Sequence, residues 1–221
     1  MAFYNDVYKE LSERCNEQKV TLVAVSKVRT EQEILSAYNA GQLDFGENYV
    51  QELIAKAENL PKDIRWHFIG HLQSNKTKYI SPFIHLVQGI DNEKLLQELN
   101  KQAIKSERKI NCLLQVHISK EETKFGFAED EIKNIDLSLY PSLNICGLMG
   151  LASFTFDLEK VRSEFKGLHT FYNVCKLKNP GFTILSMGMS GDYEIAMEEG
   201  STMIRVGSLI FGERKKVSTK E

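Results

Sequence analysis

The sequence predicts an α/β protein built as a single (β/α)8 TIM-type barrel with an extra N-terminal helix. Three observations lead to this prediction. Short apolar, β-branched runs alternate with longer amphipathic stretches along the 221 residues, about eight such runs occur, and the glycine-rich nucleotide fingerprints of open doubly wound sheets are missing from the sequence. An open doubly wound sheet remains the alternative, because alternation alone fits both architectures.

The apolar runs predict the strands. Several are apolar on successive residues, as in Leu22–Val25, which is typical of a strand covered on both faces. In chain order, the predicted strands are Leu22–Val25, Leu43–Gly46, Trp66–Gly70, Ile84–Gly89, Asn111–His117, Asn144–Gly150, Phe182–Gly188 and Met203–Gly207.

The stretches between these runs carry helix signals. An opening helix is predicted from Phe3 to about Cys15, ahead of the first strand. Thr30 and Glu33 have the spacing of a capping box, in which each side chain bonds the backbone of the other residue. Asp91 is predicted to cap the helix that follows the fourth strand.

Composition bounds the class of protein. Hydrophobic residues make up 42% of the chain and charged residues 26%, and the formal net charge is −2. That balance offers no broad basic surface for nucleic acid, and no apolar run is long enough to span a membrane. We expect one domain over residues 1–212, a charged and flexible tail over 213–221, and a cytoplasmic location, because the N-terminus lacks an apolar leader.

Cysteines and histidines do not predict a metal site. The four cysteines are widely spaced without a CxxC pair, so we expect reduced core residues. His67 and His71 are four residues apart, yet they fall on a predicted strand and its exit and lack the glutamate of the H-E-x-x-H pattern.

Chemistry in a barrel gathers at the C-terminal ends of the strands. Lys27 follows the first predicted strand directly. A lysine sheltered there loses hydration, which lowers its pKa and leaves more of the neutral amine that attacks a carbonyl to give a Schiff base. An ordinary solvated lysine is the alternative reading of this residue taken alone.

Two segments near the C-terminus predict a phosphate site. Residues Ser186–Gly191 lie at the end of the seventh predicted strand and lead into a short predicted helix, Asp192–Glu199, and Arg205–Ser208 lie at the end of the eighth. Glycines let a backbone approach a ligand closely, and the loops after strands seven and eight hold phosphate in many barrels. The alternative is that these residues only form turns and caps.

A Schiff-base lysine and a phosphate cradle together suggest pyridoxal 5′-phosphate (PLP), a phosphorylated aldehyde. The sequence resembles the pyridoxal phosphate homeostasis protein family, which has the barrel of the alanine racemase N-terminal domain. The resemblance covers nearly the whole chain. The matching stretches are LVAVSK (22–27), FGENYVQE (45–52), WHFIGHLQSNK (66–76), LLQVHISKEETKFGF (113–127), GLMG (147–150) and LSMGMSGDYEIAMEEGSTMIRVGSLIFGER (185–214).

The resemblance implies roles for individual residues. It makes Lys27 the residue that carries PLP covalently and Arg205 the residue that faces the pyridine nitrogen. The other implied cofactor-binding residues are Asn48 beside the ring, Ser186 and Met187 along the pocket, and Ser190, Gly207 and Ser208 at the phosphate. The sequence departs from the family pattern at His117, Phe125 and Gly191. His117 and Phe125 flank the pocket side of strand five, so the resemblance does not fix the polarity of the pocket there.

The implied function is a PLP carrier rather than an enzyme. A donor-only arginine keeps the pyridine nitrogen unprotonated, and an unprotonated ring is a weak electron sink. The resemblance to alanine racemase implies that racemisation also needs a tyrosine from a second domain, which this sequence does not include. We expect a monomer or weak homodimer that buffers PLP or delivers it to apo PLP-dependent enzymes; a single-domain amino-acid racemase is the alternative.

Overall fold

The computed structural model of the chain describes residues 3–119 and 125–213. Eight parallel strands follow one another around a closed barrel, and the eighth pairs with the first through the register Val23 to Arg205. The predicted (β/α)8 barrel is therefore confirmed, and the open sheet is excluded. Residues 214–221 of the predicted tail lie outside the described residues, so the domain boundary at residue 212 stays a prediction.

Each predicted strand is present. The strands are β1 Thr21–Val25, β2 Asp44–Glu47, β3 Arg65–Phe68, β4 Leu86–Ile90, β5 Ile110–Val116, β6 Leu143–Gly150, β7 Ile184–Met189 and β8 Met203–Val206. The fourth strand begins two residues later than predicted, because the backbone N–H of Ile84 bonds the carbonyl of Ile80 at 2.9 Å and closes a turn there.

Helices connect the strands and surround the barrel. In the described residues, the α-helices are α1 Asn5–Glu17, α2 Glu31–Asn39, α3 Val50–Asn59, α4 Thr77–Ile80, α5 Glu93–Lys105, α6 Glu129–Asn134, α7 Leu158–Lys178, α8 Tyr193–Glu198 and α9 Ser208–Phe211. The predicted opening helix is confirmed as α1. Among these helices, none combines the length and the apolar character that crossing a bilayer requires.

One helix cap was predicted correctly and one was not. The capping box of α2 is present, with the Glu33 N–H bonding Thr30 Oγ1 at 3.3 Å and the Thr30 N–H bonding Glu33 Oε2 at 2.8 Å. The prediction that Asp91 caps α5 is wrong. Asn92 is the cap, accepting from the Leu95 N–H at 2.9 Å, because the Asp91 carboxylate bonds His71 instead.

Two hydrophobic clusters stabilise the barrel. The larger cluster joins the outer faces of the strands to the helices, and the smaller one fills the barrel interior with strand residues such as Val23, Leu113 and Met149. The four cysteines are free and buried, as expected for reduced core residues. Burial raises the pKa of the Cys15 thiol to about 11, so that thiol stays protonated near neutral pH.

Candidate functional site

The predicted site residues outside the strands lie at one rim of the barrel. Lys27 follows β1, Asn48 follows β2, Ser190 follows β7, and Gly207 and Ser208 follow β8. Because all eight strands are parallel and close into a barrel, their C-terminal ends form a single rim. The topology therefore gathers segments that are separated by up to about 180 residues of sequence.

The turn that carries Lys27 is strained. Lys27 is half-buried, and the next residue, Val28, has a φ of 61°. A β-branched residue in this left-handed region is a genuine outlier, and such strain is common at functional sites. The Val28 N–H donates to Glu52 Oε1 at 2.6 Å, so α3 holds the turn in place.

A buried ion cluster lies directly beneath this turn. The Lys56 ammonium group donates to the Ser26 carbonyl at 2.7 Å, to Glu47 Oε1 at 2.7 Å and to Glu52 Oε1 at 2.6 Å. Burial raises the pKa of Glu47, although Lys56 and the Ser26 hydroxyl act in the opposite direction. The sequence analysis missed this cluster. Its signals were a glutamate inside an otherwise buried strand and the i, i+4 pair Glu52–Lys56.

Arg205 is a buried cation in the upper part of the barrel interior. Its side chain donates to Ser186 Oγ through Nη1 and to the Gly150 carbonyl through Nη2 at 3.0 Å, and both acceptors are neutral. Burial lowers the pKa of Arg205 to about 10, while the charge of Asp192 acts to raise it. The guanidinium group is therefore charged at neutral pH, with five N–H donors in all.

Ser186 and Met187 occupy opposite faces of β7. The Ser186 hydroxyl points into the barrel and donates to Gln88 Oε1 at 2.7 Å. The Met187 side chain is fully buried in the larger cluster outside the barrel, so any contact of Met187 with the predicted pocket is limited to its backbone. Alternation along a strand explains this difference.

The loops after β7 and β8 are joined by one hydrogen bond. The Gly207 N–H donates to Ser190 Oγ at 3.2 Å, and Ser208 begins the short helix α9 with an exposed side chain. The two segments that the sequence assigned to a phosphate are thus adjacent. Their contact with a phosphate stays a prediction.

Asn48 opens onto a cavity of about 330 Å³ at the rim. Its Oδ1 atom is buried without a hydrogen-bond partner in the described structure. His71 lines the same cavity and stacks on Phe125, with ring centroids 4.1 Å apart. The His71 Nδ1 atom lies 2.6 Å from Asp91 Oδ2, so the rim contains a histidine–aspartate pair. The sequence analysis missed this pair because the two residues follow different strands, His71 after β3 and Asp91 after β4.

The opposite end of the barrel has a different polar cluster. Asp44, His67 and His85 offer ligand atoms within 4.8 Å of one another. Arg65 bonds both carboxylate oxygens of Asp44, at 2.8 and 2.5 Å, and its positive charge opposes a cation there. His67 and His71, which the sequence analysis did not assign to a metal site, do not converge, because the two rings bond carboxylates at opposite ends of the barrel.

Comparison with known proteins defines the class first. The family model described as "Alanine racemase, N-terminal domain" matches residues 5–215. An alanine racemase from Streptomyces coelicolor shares the fold at 14% identity and a TM-score of 0.75, over 95% of this chain and 58% of that one. The protein is thus a barrel of the alanine racemase N-terminal class.

Sequence relatives narrow this class. A pyridoxal phosphate homeostasis protein of Vibrio alginolyticus is 42% identical over 204 residues, covering 89% of this chain and 88% of the relative. The human pyridoxal phosphate homeostasis protein is 40% identical, covering 87% and 76%. This chain therefore belongs to the pyridoxal phosphate homeostasis protein family, whose members are named as homeostasis proteins and not as enzymes.

A solved relative carries a cofactor. The structure of PipY from Synechococcus elongatus, described as having PLP bound, superposes with a TM-score of 0.82 at 34% identity. It covers 93% of this chain and 100% of that one.

Proposed function

We propose that this chain binds PLP at the rim of the barrel as a Schiff base on Lys27 and takes part in PLP homeostasis by holding and releasing it. The observation that carries the proposal is Arg205, a buried and charged side chain whose hydrogen bonds in the described structure end on neutral acceptors. Such a cation favours an electron-rich ligand beside it. Family membership and the PLP of PipY support the same ligand.

The residues at the rim suit this cofactor. Lys27 provides an amine on the turn after β1. Arg205 lies on β8, which pairs with β1, and its guanidinium group provides hydrogen-bond donors inside the barrel. Asn48 contributes a buried oxygen that still needs a hydrogen-bond donor. Ser190 and Gly207 join the two loops to which we assign the phosphate.

The proposed attachment is reversible. PLP supplies an aldehyde, and the neutral amine of Lys27 adds to its carbon, so that a C=N bond replaces the C=O bond and one water molecule leaves. Addition of water reverses the step and frees the cofactor. Arg205 cannot accept a proton at neutral pH, so it acts as a donor and requires an acceptor opposite it.

This donor favours a carrier over a catalyst. A pyridine nitrogen that faces the Arg205 guanidinium stays unprotonated, and the ring then withdraws electrons weakly. Carbanion chemistry is restrained as a result.

A titration of the apo-protein with PLP tests the proposal. We expect a new absorbance band of protein-bound PLP in the wild type and in Lys9→Ala, a control on the exposed side of α1. Lys27→Ala should lack the band. An unchanged wild-type spectrum, or an equal band in Lys27→Ala, would overturn the assignment.

One observation favours the racemase alternative. The His71–Asp91 pair lies at the same rim, and Asp91 holds His71 through Nδ1, which presents Nε2 as a base. Exchange of the α-proton of amino acids in D2O by the PLP-loaded protein measures this activity, with His71→Gln as the matched variant. Exchange at the rate of free PLP would argue against it.

Delivery to apo PLP-dependent enzymes requires a surface for them. The loop after β6 exposes Phe154 at 94% and Phe156 at 100%, which provides an apolar contact surface beside the rim.

We propose that the chain acts in the cytoplasm as a monomer or weak homodimer, and sedimentation at several concentrations would measure that oligomeric state.

A further inference from the structure

A continuous chain of side-chain hydrogen bonds crosses the barrel interior below Arg205. Arg205 donates to Ser186 Oγ, and Ser186 donates to Gln88 Oε1 at 2.7 Å. Gln88 Nε2 lies 3.0 Å from His67 Nδ1, and His67 Nε2 lies 3.0 Å from Asp44 Oδ1. Ser186, Gln88 and His67 are almost fully buried, at 0%, 0% and 1% exposure.

The Arg205 cation fixes the donor-to-acceptor direction of every bond in this series of hydrogen bonds. The Arg205 guanidinium group has only donors, so the Ser186 oxygen accepts from it. The Ser186 hydroxyl then donates its one proton to Gln88 Oε1. The amide group of Gln88 therefore points its NH2 at His67. His67 must present a lone pair at Nδ1 and carry its proton at Nε2, which faces Asp44.

The lower end of the chain is anchored by a charge. Burial acts to raise the pKa of Asp44, but hydrogen bonds from His67 and Arg65 outweigh it and bring that pKa to about 2. An ionised Asp44 accepts from His67 Nε2–H. Bonds that all point the same way between a cation and an anion strengthen one another.

We propose that Gln88 and His67 are positioning residues for Arg205. They fix the rotamer of the Ser186 hydroxyl, and that hydroxyl holds the guanidinium group in the orientation that faces the cofactor ring. The effect of these residues on cofactor binding rests on the proposed PLP function. The direction of the hydrogen bonds does not, because all of these bonds are present in the apo-protein. In this hydrogen-bond chain, Gln88, His67 and Asp44 do not face the cofactor themselves and act on it through Ser186 and Arg205.

The tautomer of His67 tests the direction of the chain without any cofactor. Nitrogen-15 NMR of the apo-protein near neutral pH should show His67 neutral, with its proton on Nε2. In Gln88→Glu, a carboxylate accepts from both neighbours, so His67 should become protonated at both nitrogens. A wild-type His67 protonated at Nδ1, or an unchanged His67 in Gln88→Glu, would overturn the proposal.

Affinity for PLP tests the consequence. Gln88→Met keeps the size of the side chain but removes the acceptor of the Ser186 hydroxyl, which can then rotate away from Arg205. We expect the Kd for PLP to rise about tenfold, as for loss of the bond between Ser186 and the charged guanidinium group. Gln88→Glu should restore most of the affinity. Gln42 is another buried glutamine, and its amide group donates to the backbone carbonyls of Leu22 and Asp44 but bonds no side chain of this hydrogen-bond chain, so Gln42→Met should leave the Kd unchanged.

These outcomes separate the two proposals. A wild type that fails to bind PLP removes the proposed function while the tautomer result stands. A wild type that binds PLP with equal Kd values in Gln88→Met and Gln42→Met removes the positioning role alone.

Discussion

The ionisation of Asp44 is coupled to folding. Its lowered pKa means that the folded state prefers the charged form, so it stabilises the fold above the ordinary pKa of 3.8 and loses that contribution as pH falls toward 2. Asp44→Asn should lower the free energy of unfolding by about 2 kcal/mol at neutral pH.

Urea unfolding at a series of pH values measures this effect. The wild type should lose stability between pH 3.8 and about 2, and Asp44→Asn should lose less over that interval. Asp6→Asn, an exposed control on α1, should behave as the wild type. Parallel pH profiles for Asp44→Asn and the wild type would contradict the role of this carboxylate.

Residues at the strand ends were predictable and residues of the interior were not. Lys27 follows one apolar run and Arg205 lies within another, so the sequence places both near the C-terminal ends of strands once the barrel is assumed. Gln88 bonds a serine 98 residues away, across the barrel. No periodicity of the sequence carries information about a pairing of that kind, because it depends on the closure and register of the strands.

Two glycines show how backbone space differs between a strand and a helix. Gly147 in β6 has a φ of 151°, and a Cβ there would lie 1.8 Å from the Ile184 carbonyl oxygen. We expect Gly147→Ala to lower the free energy of unfolding by about 3 kcal/mol or more, since β6 and β7 would have to separate locally.

Gly167 in α7 provides the matched control. Its Cβ would meet nothing within 4 Å, and the residue is exposed in the middle of a helix. Gly167→Ala should therefore raise the free energy of unfolding by about 0.5–1 kcal/mol. Urea denaturation of both variants measures the contrast, and equal effects would contradict the structural account.

Of the two helix caps expected from the sequence, the cap of α2 was predicted correctly and the cap of α5 was not. Thr30 and Glu33 form a reciprocal pattern that sequence alone identifies. Asp91 and Asn92 are both good caps, and the sequence does not show that a histidine in the loop after β3 bonds the aspartate. Asn92→Ala should cost about 1 kcal/mol through loss of the α5 cap, as thermal unfolding would show.

In the whole molecule, the alternation of strands and helices was predictable because the local pattern repeats along the sequence. That pattern also fits an open sheet, and the missing nucleotide fingerprints and the family resemblance favoured the closed barrel. The register was not predictable, since a register is fixed by contacts between strands. Closure brings the end of β1 beside the end of β8, and two segments that are distant in the sequence become neighbours at the rim.

Cofactor binding should therefore stabilise the entire barrel. A ligand that binds only the folded state adds about 2.7 kcal/mol at one hundred times its Kd. We expect PLP to raise the Tm of the wild type and to raise that of Lys27→Arg much less. Equal shifts in the two proteins would place the ligand elsewhere, and Lys9→Arg serves as the control.

Reduction of the PLP-loaded protein with borohydride, followed by peptide mass spectrometry, tests the central claim most directly. It converts a Schiff base into a stable pyridoxyl-lysine and identifies the lysine. We expect the modification on Lys27 and its loss in Lys27→Arg. A pyridoxyl group on another lysine in the wild type, or none at all, would contradict it.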